Sequence, residues 1–379
     1  MAKILHIVEN CNGQATEKWL YQLYKELKKN NNGDEWSFFC TLNEPGQYSH
    51  QLVENGAKIF CSPKSISQLL PFMRLLRQTL RDGQYDVVHC HQDLMSAIYL
   101  MASIGLPIRK RIIHVHNTSL GLPTPNQLKA FILTRLLKVI CNLLADNIVG
   151  VSEAALKSYL NGKKKTKKFS VIHCAINIDS AITPDYSSLA VRNEFTIPDT
   201  ALILLFVGRM ITYKNPTFVL GILGYLLNEG VETYALFVGE GDEKQTISEL
   251  VNNMAISERV KCLGWRNDIR EIMAASDVLV FPSLENPMEG LGLTVVEAQS
   301  VGLPVIMSLS VPDEAKVITE LVESVPLSAG IKEWGEKIID LIKREKLNSK
   351  PQCEELVKQS SFSPQQSLSG LINLYNDFG

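Results

Sequence analysis

The hydrophobic positions of the chain fall into short β-branched runs, separated by longer stretches that alternate apolar and polar residues with helical spacing. The first series comprises KILHIVE (3–9), WSFFCTL (36–42), KIFC (58–61), DVVHCH (86–91), RIIHVH (111–116), NIVGVS (147–152) and FSVIH (169–173). A second series comprises ALILLFVG (201–208), YALFVGEG (234–241), VKCLGW (260–265), VLVFPS (278–283) and PVIMSL (304–309). Strands that alternate with helices predict parallel sheets covered on both faces. Two series therefore predict an α/β protein of two doubly wound domains that face one another across a cleft, with a linker near Asn177–Pro184.

Length and composition agree with this architecture. A chain of 379 residues suits two domains, and 45% hydrophobic with 21% charged residues is ordinary for a soluble protein. The opening MAKILHIVENC resembles a first strand and not a signal peptide, and we find no apolar run long enough to span a membrane. The eight cysteines form no C-x-x-C pair, which favours reduced, mostly buried thiols in a cytoplasmic protein.

Charge is distributed unevenly along the chain. Residues 1–175 hold 22 Lys or Arg against 12 Asp or Glu, and the remainder holds 16 against 28. The first part is the candidate for contact with an anionic surface or substrate, although the loop KKKTKK (163–168) alone accounts for much of the excess. The apolar and basic stretch 128–145 has two interpretations. We prefer a core helix packed on the sheet, and the alternative is a helix that docks peripherally on anionic lipid.

Two loops carry candidate chemistry in the second half. Arg209 and Lys214 directly follow a predicted strand, at the edge where ligands bind, and two cations there suit a diphosphate. The alternative is two surface cations at the start of a helix. In the stretch PMEGLGLTVVEA, a Gly-Leu-Gly turn leads into a helix whose free N–H groups favour an anion. Glu289 precedes this helix, and Glu297 lies just over one turn into it, where it can accept hydrogen bonds from paired sugar hydroxyls.

These residues resemble the retaining family 4 glycosyltransferases, which have the GT-B fold of two Rossmann-like domains. The resemblance rests on the two carboxylates in EGLGLTVVEA, on Gly-Arg followed after four residues by Lys, and on VGEGDE (238–243), CLGWRNDIREIMAASDVLVFPS (262–283) and SVGLPVI (300–306). Weaker likenesses in the first half are DVVHCH, IIHVHNTSLGL (112–122) and ADNIVGVSEAA (145–155). Enzymes of bacterial capsule, exopolysaccharide and O-antigen synthesis are the most similar group. The resemblance implies an acceptor-side domain over 1–178, a nucleotide-sugar domain over 179–362 and a C-terminal helix over 363–379 that returns to the first domain.

The resemblance also implies roles for individual residues. Catalytic roles would belong to Arg209, Lys214, Glu289 and His116, with the two cations stabilising charge on the departing nucleoside diphosphate. Donor binding would belong to Glu297, Gly290, Leu291, Gly292, Leu293, Gly208, Gly239, Gly241, Trp265, Arg266 and Gly13. Weaker acceptor-side candidates are Gln14, His91 and Asn117.

The implied reaction moves a sugar from a nucleotide-diphosphate sugar to a glycan or lipid-linked acceptor, by front-face transfer with retention. The leaving phosphate helps to take the acceptor proton, so no side-chain nucleophile is required. We find no D-x-D pair for a metal, and we expect no cofactor, no metal and no nucleic-acid partner. UDP is our first choice of donor nucleotide and GDP the second, on family frequency alone. The expected location is the cytoplasm, with peripheral contact at the inner face of the membrane as an option.

Three features depart from the family pattern. The glycine-rich loop after the first strand has only Gly13, followed by Gln14 and Ala15. Cys174–Ala175 replaces the common Asn-Gly or Asn-Ala, and the segment between Pro282 and Glu289 is about three residues longer than usual. These changes bear on substrate identity more than on reaction class.

Other functions fit the sequence less well. A sugar-nucleotide epimerase of the same fold would form product without an acceptor, and a degenerate subunit would bind the nucleotide without turnover. An unrelated phosphorylated ligand for the carboxylate pair is a further alternative. A dinucleotide oxidoreductase is disfavoured because ENCNGQATE lacks G-x-G-x-x-G, and a glycosidase because it needs an opposed carboxylate pair.

Overall fold

The chain forms two compact units, Met1–Ala175 with Ser361–Gly379 and Ile176–Ser360. The structure is a computed structural model, and it describes residues 2–12, 15–121, 126–178, 188–344 and 349–377. The sequence predicts the bounds of the second domain at 179 and 362, and the structure has them at 176 and 360.

The first unit is built on a parallel sheet, seven-stranded over the described residues, with the order β3-β2-β1-β4-β5-β6-β7. Its strands are β1 (Lys3–Val8), β2 (Glu35–Cys40), β3 (Lys58–Cys61), β4 (Val87–Cys90), β5 (Lys110–Val115), β6 (Asn147–Gly150) and β7 (Phe169–Val171). Its helices are α1 (Ala15–Lys29), α2 (Ser49–Glu54), α3 (Leu69–Gly83), α4 (Ser96–Ala102), α5 (Gln127–Leu144), α6 (Glu153–Leu160) and α14 (Pro364–Asn376). The last helix packs against α1, where Trp19 Nε1 donates a hydrogen bond to Ser367 Oγ at 3.0 Å.

The second unit repeats the design with a six-stranded parallel sheet over the described residues, in the order β10-β9-β8-β11-β12-β13. Its strands are β8 (Leu202–Val207), β9 (Thr233–Val238), β10 (Val260–Gly264), β11 (Val278–Phe281), β12 (Val305–Met307) and β13 (Val322–Ser324). Its helices are α7 (Ser188–Glu194), α8 (Thr217–Asn228), α9 (Glu243–Asn253), α10 (Ile269–Ala275), α11 (Leu293–Ser300), α12 (Gly330–Lys343) and α13 (Lys350–Gln359). Strands β8 and β9 are buried along their whole length, as expected for a parallel sheet with helices on both faces.

The strands predicted from hydrophobic patterning are confirmed, with ends that shift by at most three residues. The predicted strand 234–241 ends at Val238, because Gly239 and Gly241 have positive φ values of 130° and 155°. The short β13 (Val322–Ser324) was not predicted, since three residues carry no measurable alternation.

Two other expectations concern side-chain burial. Six cysteines are buried, Cys61 is half-buried and Cys262 is exposed, and all eight are free thiols as predicted. The preferred interpretation of α5 as a core helix holds only for its buried residues Leu137 and Cys141. Most of its other apolar side chains are exposed. In the described part of the chain, no helix combines the length and apolarity needed to cross a bilayer.

Candidate functional site

The strand order of the second unit brings the predicted catalytic loops together. The order reverses between β8 and β11, the two central neighbours of the sheet. Loops that leave the carboxyl ends of such neighbours diverge and leave a crevice, where ligands bind in open α/β sheets. Arg209 and Lys214 follow β8, and Glu289 with Gly290–Leu293 follows β11. The sequence-predicted residues of these two loops therefore share one edge of one sheet.

A buried ion pair lies at the centre of this edge. Lys214 Nζ is 2.6 Å from Glu289 Oε1, and both side chains are largely shielded from solvent. The same carboxylate oxygen accepts a hydrogen bond from Ser283 Oγ at 2.5 Å. The backbone N–H of Glu289 donates to the carbonyl of Ser310 at 2.9 Å, which fixes the segment on which the carboxylate stands.

Aromatic rings enclose this ion pair. Lys214 Nζ lies 5.4 Å from the centre of the Tyr213 ring and 4.8 Å from the centre of the Phe281 ring. Burial raises the pKa of Tyr213, and the charge of Glu289 and its hydrogen bond raise it further. Tyr213 therefore keeps its proton at neutral pH and can donate a hydrogen bond to Glu289.

Three buried serines, Ser283, Ser308 and Ser310, form a hydrogen-bonded group next to Glu289, which we call the serine floor, and the sequence analysis did not predict them. Ser308 Oγ donates to the carbonyl of Ser283 at 2.6 Å, and Ser310 Oγ lies 2.8 Å from Ser308 Oγ. Tyr213 was also missed, although it directly precedes Lys214. The only sequence signal for these residues is that each follows a strand end of this sheet.

Arg209 differs from Lys214 in its surroundings. Its side chain is exposed, and no ion pair or hydrogen bond to its guanidinium occurs among the described residues. Its loop is held by backbone bonds, because Met210 N donates to the carbonyl of Glu240 at 2.8 Å. The exposed guanidinium of Arg209 thus stands on a backbone that hydrogen bonds hold in place, in the loop that also carries Lys214 of the ion pair.

Two glycines after β9 permit this close approach of loops. A Cβ on Gly239 would lie 2.1 Å from the carbonyl oxygen of Gly208, and one on Gly241 would lie 2.2 Å from that of Met210. Both positions therefore exclude any side chain. The structure gives Gly239 and Gly241 a packing role, in addition to the predicted role in donor binding, whereas a Cβ on Gly208 would make only ordinary contacts.

Helix α11 begins at the Gly-Leu-Gly turn as predicted. Gly292 caps it in the left-handed conformation, with φ 83°, and no side chain bonds to the cap. A Cβ there would lie 2.8 Å from Val311 Cγ1, so the turn needs glycine. Gly290 and Leu291 lead into the turn, Leu293 is the first helical residue, and Glu297 is half-buried one turn further on. Because Gly292 has no side chain, the cap residue itself does not compete with an anion for the first N–H groups of α11.

The predicted residues after β10 separate into two environments. The Trp265 ring is 75% exposed and offers a flat apolar face. Arg266, by contrast, is occupied by two carboxylates, Asp268 at 2.6 Å and Glu194 at 2.9 Å. These ion pairs raise the pKa of Arg266. Arg266 is therefore held as a structural cation of the loop.

The predicted residues of the first unit lie at its own point of strand-order reversal, between β1 and β4. His116 N donates to Asp93 Oδ1 and Asn117 Nδ2 donates to Asp93 Oδ2, each at 2.7 Å. His91 Nδ1 lies 3.3 Å from His116 Nε2. Burial lowers the pKa of His116 to about 3, so the ring is neutral at physiological pH. Gly13 and Gln14 lie outside the described residues.

Two family models cover most of the chain. The model of Glycosyltransferase Family 4 matches residues 16–180, and the model of Glycosyl transferases group 1 matches residues 188–358. These matches join at the segment between the two structural units.

Sequence similarity to bacterial glycosyltransferases covers nearly the whole chain. EpsF of Bacillus subtilis (strain 168), which is named as a glycosyltransferase, is 28% identical over 386 residues, covering 99% of this chain and 96% of that protein. The capsular polysaccharide biosynthesis glycosyltransferase CapH of Staphylococcus aureus is 24% identical over 351 residues, covering 91% and 92%. The crystal structure of Anabaena HepE in complex with UDP-glucose superposes with a TM-score of 0.77 over 99% of both chains, at 17% identity. The chain belongs to the family 4 glycosyltransferases and has their GT-B fold of two Rossmann-like units.

Proposed function

We propose that this glycosyltransferase takes a sugar from a nucleotide-diphosphate sugar, with UDP as the first choice. The acceptor is a glycan or lipid-linked glycan of a bacterial surface polysaccharide. The observation that carries the donor assignment is the edge between β8 and β11, where Arg209, the Lys214–Glu289 pair and the open end of α11 stand together. The UDP-glucose complex of HepE and the name of CapH support the donor class and the polysaccharide role.

Diphosphate binding is the step that the electrostatics of this edge favour. Arg209 has no competing carboxylate among the described residues, so its guanidinium can grip phosphate oxygens with two parallel hydrogen bonds. Lys214 is held in position by Glu289 and stabilises the negative charge that develops on the leaving phosphate. Glu297 on α11 accepts hydrogen bonds from the ribose hydroxyls, and Trp265 offers a face near the base.

We infer a reaction with retention and without a metal ion. The leaving phosphate takes the acceptor proton at the front face, so no side-chain nucleophile is needed. Two cations and a helix end supply the positive charge that a metal would otherwise provide. Activity should survive extensive treatment with EDTA, and complete loss of turnover that Mg²⁺ or Mn²⁺ restores would contradict the metal-independent mechanism.

A thermal-shift screen tests the donor. UDP-, GDP-, ADP- and CMP-sugars and NAD are compared on the wild type and on Arg209→Ala. A ligand at 100 times its Kd adds about 2.7 kcal/mol of stability. We expect a shift with UDP-sugars that is lost in the variant. Lys261→Ala, a cation on β10 away from this edge, serves as the control and should keep the shift.

Other outcomes separate the alternatives. A shift with NAD alone would exclude the transferase. Sugar conversion without an acceptor would favour the epimerase, and no shift with any sugar nucleotide would favour the degenerate subunit.

Helix α5 supports a second part of the proposal, which is docking on an anionic membrane. Its exposed apolar residues project from one side, opposite the buried Leu137 and Cys141, because successive helical residues turn by about 100°. These exposed residues are Leu128, Phe131, Ile132, Leu136, Val139 and Leu143. An exposed apolar stripe of this length on a soluble unit indicates an interaction surface.

Positive charges beside the apolar stripe favour an anionic lipid surface as its binding partner. Lys129 and Arg135 are exposed on the same helix, and Arg135 lies 4.3 Å from the centre of the Phe131 ring. Cations beside an apolar stripe complement anionic headgroups, and a lipid-linked acceptor would then lie close to the enzyme.

Vesicle flotation tests the docking. We expect the chain to float with anionic vesicles at physiological salt and to stay behind with zwitterionic ones. Ile132→Asp combined with Leu136→Asp should abolish flotation. Ile104→Asp, at a site that is 52% exposed on another surface of the same unit, is the matched control. Equal flotation of both variants, or none by the wild type, would contradict docking through α5.

A further inference from the structure

Five of the chain's seven histidines lie in one cluster of the first unit. They lie on or directly after three adjacent strands of the sheet: His6 on β1, His89 on β4 with His91 just after it, and His114 on β5 with His116 just after it. Spacing of two residues along each strand keeps their rings on one face. Trp19 of α1 and Tyr375 of α14 cover that face.

Ring nitrogens in the cluster contact one another directly. His116 Nε2 lies 3.3 Å from His91 Nδ1, and His91 Nε2 lies 3.1 Å from His6 Nδ1. His114 Nδ1 lies 3.3 Å from His89 Nε2. Burial holds these rings in the neutral form, in which one nitrogen of each carries a lone pair.

Two groups of three rings have the spacing of metal ligands: His6, His89 and His91, all buried, and His91, His114 and His116, which includes the half-exposed His116. His91, His114 and His116 each offer one nitrogen, and the three nitrogens lie within 4.8 Å of one another. Two nitrogens on one tetrahedral zinc ion, at about 2.0–2.1 Å from it, are about 3.3–3.4 Å apart. The contact between His91 Nδ1 and His116 Nε2 already has this length.

The third ring supplies a nitrogen without a hydrogen bond. His114 Nε2 is buried and has no hydrogen-bond partner. The carbonyl of Ile172 is the nearest competitor, since it raises the pKa of this ring, but it makes no hydrogen bond of ordinary geometry to Nε2. A buried nitrogen without a hydrogen-bond partner carries a free-energy cost, and a ligand that bonds to it would remove that cost.

In each of these three rings, the nitrogen that would not bind the metal contacts another side chain. His116 Nδ1 contacts Thr16 Oγ1 at 3.3 Å, His91 Nε2 contacts His6 Nδ1, and His114 Nδ1 contacts His89 Nε2. Such outer contacts orient metal-binding histidines and fix which nitrogen carries the proton. Each ring can keep its single proton on that outer nitrogen while the inner one binds a cation, so no net proton release is required.

We propose that His91, His114 and His116 form a binding site for a transition-metal dication of the Zn²⁺ class. Imidazole nitrogens suit Zn²⁺, Co²⁺, Ni²⁺ and Cu²⁺, whereas Mg²⁺ and Ca²⁺ require oxygen ligands. His116 is half-exposed while His91 and His114 are buried, so the ion enters from the His116 side. The proposed site uses residues of the first unit alone and does not require that catalysis use a metal.

Cobalt is the probe, because tetrahedral Co²⁺ with nitrogen ligands absorbs in the visible range and replaces Zn²⁺. The full chain is freed of metal with EDTA, dialysed and titrated with Co²⁺, and Zn²⁺ is then added as competitor. We expect one Co²⁺ per chain with tetrahedral absorption that Zn²⁺ removes and Mg²⁺ does not.

Variants locate the ion. His116→Ala and His114→Ala should each weaken Co²⁺ binding more than tenfold, with folding checked by circular dichroism. His50→Ala is the control, because His50 is an exposed histidine outside the cluster. Absence of tetrahedral absorption in the wild type, unchanged binding by the folded His116→Ala variant, or loss of binding by His50→Ala would overturn the proposal.

Discussion

At the scale of single residues, the side chains and glycines of the second unit with the most specific contacts lie in the loops after β8, β9 and β11. Lys214 and Glu289 neutralise one another inside the protein, so neither charge is buried alone. Ser283 donates a hydrogen bond to the same carboxylate, and the charge of that carboxylate contributes to the raised pKa of Tyr213. Arg209 is exposed and has no ion pair among the described residues. One cation is therefore held by an ion pair, whereas the other is accessible, as the proposed contact with a diphosphate requires.

Replacement of Glu289 by Gln tests the buried pair. The amide preserves shape and one hydrogen bond but leaves the Lys214 charge unpaired, so the free energy of unfolding should fall by about 1–3 kcal/mol. Urea unfolding of the second unit measures the change. Glu320→Gln, at an exposed position of the same unit, should change it by less than about 0.5 kcal/mol. Equal effects would mean that the ion pair does not stabilise the fold.

Gly239→Ala tests the close approach of the loops after β8 and β9. The new Cβ would meet the Gly208 carbonyl at 2.1 Å, and φ is 130°. We expect a loss of about 2–3 kcal/mol in stability. Gly230 also has a positive φ, of 80°, but open space surrounds the position of a Cβ, so Gly230→Ala should cost only about 1 kcal/mol. Thermal unfolding of both variants separates the steric clash from the backbone strain.

At the scale of elements, the environment of a helix is harder to predict from sequence than that of a strand. The buried strands are recognisable in the sequence as short apolar runs. Helix α5 has apolar residues on all sides, and this pattern does not say which side packs on the sheet. The structure resolves it by burying Leu137 and Cys141 and exposing the opposite stripe.

Helix α14 is the element whose position is least local in sequence. It packs on α1 of the first unit, and Tyr375 OH lies 2.8 Å from His89 Nδ1. Leu371→Ala removes a fully buried side chain from this contact and should cost about 2–5 kcal/mol. Leu356→Ala on α13, where the side chain is 42% exposed, is the control and should cost far less. Urea unfolding that gives both variants wild-type stability would mean that α14 does not hold the first unit together.

At the scale of the whole molecule, the histidine cluster makes stability depend on pH. The pKa of His6 and that of His116 fall to about 3 through burial, whereas unfolded histidines titrate near about 6.5. Between these values the unfolded state binds more protons, so the free energy of unfolding rises with pH and falls on acidification. Glu17 acts in the opposite sense, because burial raises its pKa to about 7.

We expect the histidines to dominate, since several rings oppose two carboxyls, Glu17 and Asp93, whose pKa values burial raises. The stability of the first unit should decrease as the pH falls from about 6.5, by at most about 1.4 kcal/mol per pH unit for each ring. Urea unfolding at a series of pH values measures the slope. His6→Gln should reduce it, whereas His50→Gln, at an exposed position, should leave it unchanged. A wild-type slope of zero or of opposite sign would contradict neutral buried rings.

The sequence by itself determined the class of the fold, the strands of both sheets except β13, and the two loops that carry Arg209, Lys214 and Glu289. It could do so because apolar runs, glycine turns and charged residues at strand ends are local signals. Only the tertiary structure decided the strand order, the Lys214–Glu289 contact, the serine floor, the ion pairs of Arg266 and the exposed side of α5. It also gathered histidines from three strands into one cluster. These features depend on which distant segments become neighbours, and no local pattern records that pairing.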